Sequence, residues 1–440
     1  MEVYPIDLER NSKMLVVLVF SLLALFIALN LPVAFALGIT SLAFLMIATN
    51  VPLIVVVQRL FLGVDSFTLL GVPLFIFVGV LMNYTNLSQK IIDFCMALVG
   101  HLKGGLAMVN VVTSMFFAGV SGTSMADTAA VGGVLIPAMI DRGYKRDFTG
   151  AVTAASSTIG IIIPPSVPMI LYGVFVGLSV PTLFISGLIP GILIGIAMCG
   201  VAYIISVKEG YGADTAFSWT RLWQTFVASI PAFVLPLIIL GGIMGGVFTT
   251  TEAAGAAAAY IILYGFVTRE FTPKKVFEAA KESALLSGQV MIIIAVANLL
   301  GWVFAYAKIP QLLVGPFLSL TQNPIVFLWI ASLIMIIAGT FLHGTAMLVI
   351  IIPLFLPVVA KLGIHPFHFA MVVILCWGIG QQTPPVASAL YITCTLAKID
   401  MWSLTKANIP FIGSLIFVLA LVIHFPDLVV LSLPRLLGML

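Results

Sequence analysis

Apolar stretches long enough to cross the roughly 20-residue depth of a bilayer core recur along the whole chain, separated by short clusters of Pro, Gly and charge. The breaks predict spans near 14–29, 31–49, 67–84, 148–180, 183–207, 225–247, 251–267, 283–306, 366–397 and 409–432. Two stretches have another pattern. Residues 104–140 and 324–360 each hold two short apolar arms around a middle rich in Gly, Ser and Thr. Such arms, of about 15 residues, are too short to cross comfortably, so each stretch predicts a re-entrant hairpin. The polar positions Lys90, Asp93, His101 and Lys103 predict that 85–103 lies along the interface.

Composition agrees with the pattern and narrows the class. Hydrophobic residues are 62% of the 440 and charged residues 8%, with a mean hydropathy of +1.23. So few charges cannot cover a water-facing surface, which leaves an all-α polytopic membrane protein. A net charge of +3 is too small to imply nucleic acid or another polyanion. Cys95, Cys199, Cys376 and Cys394 have no metal-ligand spacing, and the histidines form no HExxH. No transition-metal site is expected. The mixed charges of the first thirteen residues, Glu2 and Asp7 among them, argue for a retained first span over a cleaved signal.

Lys and Arg in short loops set the orientation. Arg142, Lys145 and Arg146, then Arg269, Lys274, Lys275 and Lys281, then Lys398 and Lys406 all face the cytoplasm in one consistent topology. Residues 308–323 and 361–365 then lie outside. The orientation of the extreme N-terminus stays open.

Sliding the chain by 220 positions aligns 118–172 with 338–392 without a gap. Ala118-Gly119 falls on Ala338-Gly339, Pro137 on Pro357, Gly143 on Gly363, Gly160 on Gly380 and Pro164-Pro165 on Pro384-Pro385. Gly and Pro fix backbone shape, so coincident punctuation signals a structural repeat. Five spans separate the 141–147 loop from the 361–365 loop, and an odd number inverts the second copy. Inverted repeats that each hold a hairpin and a broken helix are the mark of secondary transporters. The predicted parts are 1–103 (N-terminal scaffold and interfacial segment), 104–207 (first repeat core), 208–323 (scaffold of the second repeat) and 324–440 (second repeat core and last span).

The polar residues at membrane depth are the candidates for chemistry. In the first hairpin Ser121, Thr123 and Ser124 crowd around Gly122, followed by Asp127. Hydroxyls and freed carbonyls there suit a hard cation such as Na⁺, and the return helix aims its N-terminus at the turn. The same hydroxyls could simply cap that helix. Asp127 is either a costly intramembrane acid with a partner or a first-turn acid stabilised by the helix dipole. The following span is interrupted at Ser156-Ser157-Thr158-Ile-Gly160 and Pro164-Pro165-Ser166, where two prolines release carbonyls. The second copy offers Gly339-Thr340, His343-Gly344-Thr345 and Gln381-Gln382-Thr383-Pro384. Glu252 reads equally as an acid beside a span or as a solvated charge at the outer interface, and Lys308 reads as a loop charge before a substrate-facing cation. Ser121 lacks the second glycine of a GxSxG elbow, and there is no Walker A lysine motif, so no enzyme activity is expected.

Four motifs in order (Ser-Gly-Thr-Ser-Met-Ala-Asp, Ile-Pro-Pro-Ser, Gly-Thr-Phe-Leu-x-Gly-Thr-Ala and Gln-Thr-Pro-Pro-Val) make the chain resemble the large membrane subunit of TRAP transporters, the tripartite ATP-independent periplasmic transporters. The resemblance implies an elevator-type fold and uptake of an organic acid anion driven by a sodium gradient. It implies a periplasmic binding protein that delivers the acid and a small membrane subunit, expected here as a separate chain, in a bacterial inner membrane. By the same resemblance Ser121, Gly122, Thr123, Gly160 and Pro164 form one sodium region. Gly339, Thr340, Gly344, Thr345, Thr383 and Pro384 form its inverted counterpart. Ser124, Asp127, Ser157, Gln381, Gln382 and His343 are left to contact substrate, with His343 standing where many relatives carry an acid. No cofactor is expected besides Na⁺ as coupling ion. Sialic acid is favoured as substrate, a C4-dicarboxylate next. The alternative is a sodium/anion symporter or antiporter that needs no binding protein.

Overall fold

A computed structural model describes residues 12–29, 31–342, 344–384 and 387–440. The N-terminal charges before residue 12, His343 and Pro385 lie outside the described residues. Among the described residues the only β pairing is an isolated bridge between Lys103 and Ala213. The rest is helix and connecting turn.

The first hairpin has arms Gly105–Ser121 and Ser124–Asp141, and the second has arms Pro324–Phe341 and Gly344–Lys361. The first broken helix runs Arg146–Ser157, then a tight turn Thr158–Ile161, then Val167–Val176; the second runs Pro366–Gly380, then Ser388–Ala397. Shifted by 220, Ser124 becomes Gly344, Asp141 becomes Lys361 and Arg146 becomes Pro366, each a helix boundary in both copies. The Gly and Pro pattern therefore marked a true structural repeat. These units pack together with Val180–Glu209 and Met401–His424.

Around them stand the remaining spans. The 34-residue helix Pro273–Tyr306 is the centre of this scaffold and packs against Val33–Ala48, Ile54–Val64 and Gly71–Asn83. Trp219–Pro236 continues through a π-helical turn, Leu237–Gly241, just after Pro236 removes an amide donor. Large apolar side chains such as Phe61, Trp219 and Val267 are exposed on the outside, as lipid-facing positions are. The last span is corrected. It covers Met401–His424 and not 409–432, because Pro426 follows its end and Lys406 lies over the Trp402 ring, 5.3 Å from its centroid, inside its first turns.

The segment 85–103 forms helix Leu87–Val99, whose buried face packs on the first hairpin and on Trp219–Pro236. Its end is pinned to the loop after Val180–Glu209. Asp214 accepts hydrogen bonds from the Leu106 amide (2.7 Å), the Tyr144 hydroxyl (2.8 Å) and Arg142 (3.0 Å). Asp214 thus does for the first hairpin's N-terminus what Gly104, lacking a side chain, cannot. Burial, then the adjacent Asp214, holds the Tyr144 hydroxyl above its usual range, so it remains a donor. Glu252 forms a capping box with Thr249, and Lys308 takes a left-handed cap between two helices. Both have structural roles in these positions.

Candidate functional site

The first hairpin turns at Gly122, whose φ of +65° is left-handed. A Cβ there would lie 2.9 Å from the Pro165 carbonyl oxygen, so only glycine allows this approach to the break. The Gly122 carbonyl accepts from the Val167 amide at 3.1 Å, tying the hairpin tip to the first broken helix. Pro164-Pro165, a cis peptide, interrupts that helix, and Ser166 caps its second half. Thr123 caps the return arm by accepting from the Ala126 amide at 3.3 Å, so its capping role is real.

Asp127 sits one turn beyond the tip with its carboxylate fully buried. One oxygen accepts the Ser121 hydroxyl, and the other has no hydrogen-bond partner. That second oxygen faces Gly160, where a Cβ would overlap it and lie 3.3 Å from the Thr123 carbonyl oxygen. The fold therefore groups Asp127 with Ser121, Thr123 and Gly160, apart from the amide-bearing residues with which sequence reasoning had placed it. A buried carboxylate with an unpaired oxygen, next to a hydroxyl and a backbone carbonyl, is an oxygen-rich environment short of one positive partner.

In the second copy Gly339 and Gly380 bring two backbones together. A Cβ on Gly380 would stand 2.8 Å from the Gly339 Cα. Gly344 opens the return arm against the Trp377 indole, and Thr345 beside it is buried. Thr340 and Thr383 donate to their own helices, to the Ile337 carbonyl at 2.8 Å and the Ile379 carbonyl at 3.0 Å. Pro384 follows in the turn. The two glutamines diverge. Gln381 accepts the Ser124 hydroxyl at 2.8 Å, joining the second break to the first hairpin. Gln382 is fully buried, donates to the Thr158 hydroxyl and accepts from Asn408 Nδ2 at 2.9 Å. Ser157 is not brought in. Its hydroxyl donates back to the Ala154 carbonyl at 2.8 Å.

Sequence reasoning missed Asn408 as well as the Asn110–Thr153 and Ser114–Ser156 bonds, at 2.7 and 3.0 Å, that hold the first hairpin to the first broken helix. The available signal was a lone amide inside an apolar span. A cavity of about 510 Å³ runs from Ser121 and Thr123 along the return arm to Asn83, Gln289 and Glu282, the half of the scaffold that the basic loops place towards the cytoplasm. A crevice of about 280 Å³ lies between Pro273–Tyr306 and the second return arm, which lines it with Val349, Ile352, Pro353 and Leu356.

Two inverted units, each a hairpin and a broken helix, with their polar tips joined, have the architecture of a secondary transporter. Comparison with known proteins gives the particular kind. Residues 20–428 match the family described as tripartite ATP-independent periplasmic transporter, DctM component, and the chain belongs to that family. It is 37% identical over 419 residues to the sialic acid TRAP transporter large permease protein SiaM of Vibrio cholerae, covering 95% of this chain and 98% of that one. It is 34% identical to the C4-dicarboxylate TRAP transporter large permease protein DctM of the same species, covering 94% and 96%. It is also 35% identical to the isethionate TRAP transporter permease protein DctMQ of Oleidesulfovibrio alaskensis, covering 92% of this chain and 64% of that longer one. The fold is similar to that of the YdaH transporter of Alcanivorax borkumensis, with a TM-score of 0.61 at 16% identity over 92% and 97% of the two chains. The chain is a multi-pass membrane permease of a bacterial TRAP system and not an enzyme.

Proposed function

We propose that this chain carries an organic acid anion across the bacterial inner membrane by coupling it to sodium entry, with sialic acid the first candidate substrate and a C4-dicarboxylate the second. A periplasmic binding protein delivers the acid, and a small membrane subunit braces the scaffold. The observation that carries the reading is the buried Asp127 carboxylate with its unpaired oxygen beside Ser121, Thr123 and Gly160. Na⁺ is a transported ion here, and those residues would hold one of them. Gly339, Thr340, Gly344, Thr345, Thr383 and Pro384 would hold another. The names of the sialic acid and dicarboxylate relatives, each matched over nearly the whole chain, support the substrate class.

The residues have distinct tasks in this mechanism. Ser121 and Asp127 offer oxygen to the cation. Gly122 and Gly160 let the backbones approach closely enough to share it. Ser124 and Gln381 now bond each other at the junction of the two copies. They turn their hydroxyl and amide to the substrate when it enters. The binding protein makes the first selection, and the tips make the second. Ion and anion together let the hairpin-bearing units move as one body against the scaffold. Each net positive charge carried inward draws on the membrane potential by about 2.3 kcal/mol per 100 mV.

The test is uptake of labelled sialic acid into proteoliposomes that hold this chain and the small subunit, with and without the binding protein and an inward sodium gradient. Uptake that needs both additions supports the reading. Uptake that ignores sodium overturns it, and sodium-dependent uptake without the binding protein makes the chain a stand-alone symporter. Succinate is the second substrate in the same assay.

A further inference from the structure

Arg59 is the only charged residue of the apolar helix Ile54–Val64. Its guanidinium lies over the Trp302 ring, 5.1 Å from the centroid. It takes part in none of the ion pairs formed among the described residues. The two residues line the outer crevice of about 280 Å³ together with Asn298, on the scaffold side, and Phe175 and Pro353, on the side of the mobile units. An arginine stacked on an aromatic face keeps its in-plane N–H edge free, and that edge matches a carboxylate bidentately.

Arg59 is not the sole contact that docks its helix on Pro273–Tyr306. Gly63 also brings the backbone so close that a Cβ would sit 2.7 Å from Asn298 Cβ. The opposite, cytoplasmic cavity carries an acid, Glu282, and no Lys or Arg in its lining. Arg59 thus gives the outer crevice a positive charge that draws an anion in from outside.

We propose that Arg59, held over the Trp302 ring, is the outer reception site for the carboxylate of the incoming organic anion. This rests on the transport reading above.

The experiment uses the complete complex in proteoliposomes, a sodium gradient and binding protein loaded with labelled N-acetylneuraminate, or with succinate if the wild type carries that instead. Arg59→Gln raises the half-saturating concentration of loaded binding protein about tenfold, the usual loss for a charge-assisted pair. Arg59→Lys, which keeps the charge but loses the fork, falls between the two. Docking of the binding protein to the complex, measured by biolayer interferometry, stays at the wild-type value, as does half-saturation for substrate supplied from the cytoplasmic side. Unchanged half-saturation in Arg59→Gln overturns the proposal and makes the arginine a scaffold anchor. A parallel loss of docking also overturns it, because Arg59 then touches the binding protein. A wild type that carries neither acid overturns the substrate assignment on which this proposal rests, and this proposal with it.

Discussion

Replacing Gln382 by Leu should be harmful, and adding Asn408→Leu should repair it. In the wild type Gln382 donates to Thr158 and accepts from Asn408 Nδ2, while Asn408 Oδ1 is buried without a partner. Gln382→Leu leaves two buried polar groups unmatched, the Thr158 hydroxyl as an acceptor and the Asn408 amide as a donor. Each costs about 1 kcal/mol, the lower end of the soluble range and near the upper end of membrane double-mutant values. The single variant therefore loses about 2 kcal/mol. Asn408→Leu strands only Gln382 Oε1 and removes the already unmatched Oδ1, so it is close to neutral. In the double variant only the Thr158 hydroxyl is newly stranded, and the loss of Oδ1 offsets it. The order of thermal unfolding temperatures, read from tryptophan fluorescence of the purified complex, is then wild type, Asn408→Leu and the double variant close together, with Gln382→Leu well below. A double variant as unstable as Gln382→Leu, or more so, refutes the reasoning.

Other outcomes follow from the same geometry. Gly160→Ala puts a methyl where the free Asp127 oxygen lies, so the half-saturating sodium concentration for uptake rises about tenfold or more, while uptake at very high sodium recovers in part. Ser124→Ala removes the 2.8 Å bond to Gln381 and weakens substrate half-saturation severalfold with little change in unfolding temperature, on the order of the 1 kcal/mol of one hydrogen bond. Asp214→Asn replaces the anion at the N-terminus of the first hairpin by a neutral amide, and costs about 1 kcal/mol, read as a lower unfolding temperature. Burial, then Arg435, lowers the pKa of His365 below its usual 6.5. The unfolded chain therefore binds the extra proton first, so stability is full above pH 6.5 and falls as the pH drops below it. In His365→Gln that acid-side fall is smaller, measured as unfolding temperature against pH.

Much of this fold was legible because glycine and proline act on the backbone itself. Gly119, Gly143, Gly160 and the Pro164-Pro165 pair recur 220 positions later, and the helix boundaries recur with them. Side-chain partnerships were less legible. Ser157 stands beside Thr158 in a run of hydroxyls, yet a rotation of about 100° per residue sends one to its own helix and the other to Gln382. Asp127 meets Ser121 only because the left-handed turn at Gly122 folds the return arm back on the tip. Asn408 had no motif, since a single amide in an apolar span has no spacing to read. The last span was placed eight residues late because Lys406 read as a loop charge. Its long stem instead lets the ammonium lie over Trp402 within the helix.

The two copies share a backbone but not their chemistry, and the difference divides the work. At the 220-residue offset Asp127 corresponds to Met347, and Gln381-Gln382 corresponds to Ile161-Ile162. The first copy therefore supplies the acid and the second the amides. On the sodium reading, a cation beside Asp127 is neutralised by the protein itself, so that region holds its ion whether or not the substrate is present. A cation in the second region meets only neutral oxygens and keeps its charge. The organic anion then gains most from the second cation, a few residues from Gln381, and the amides that reach across to Ser124 and Thr158 let the first copy sense that occupancy. An inverted pair with identical polar residues would lack this division, because both ions would then be either neutralised by the protein or dependent on the substrate.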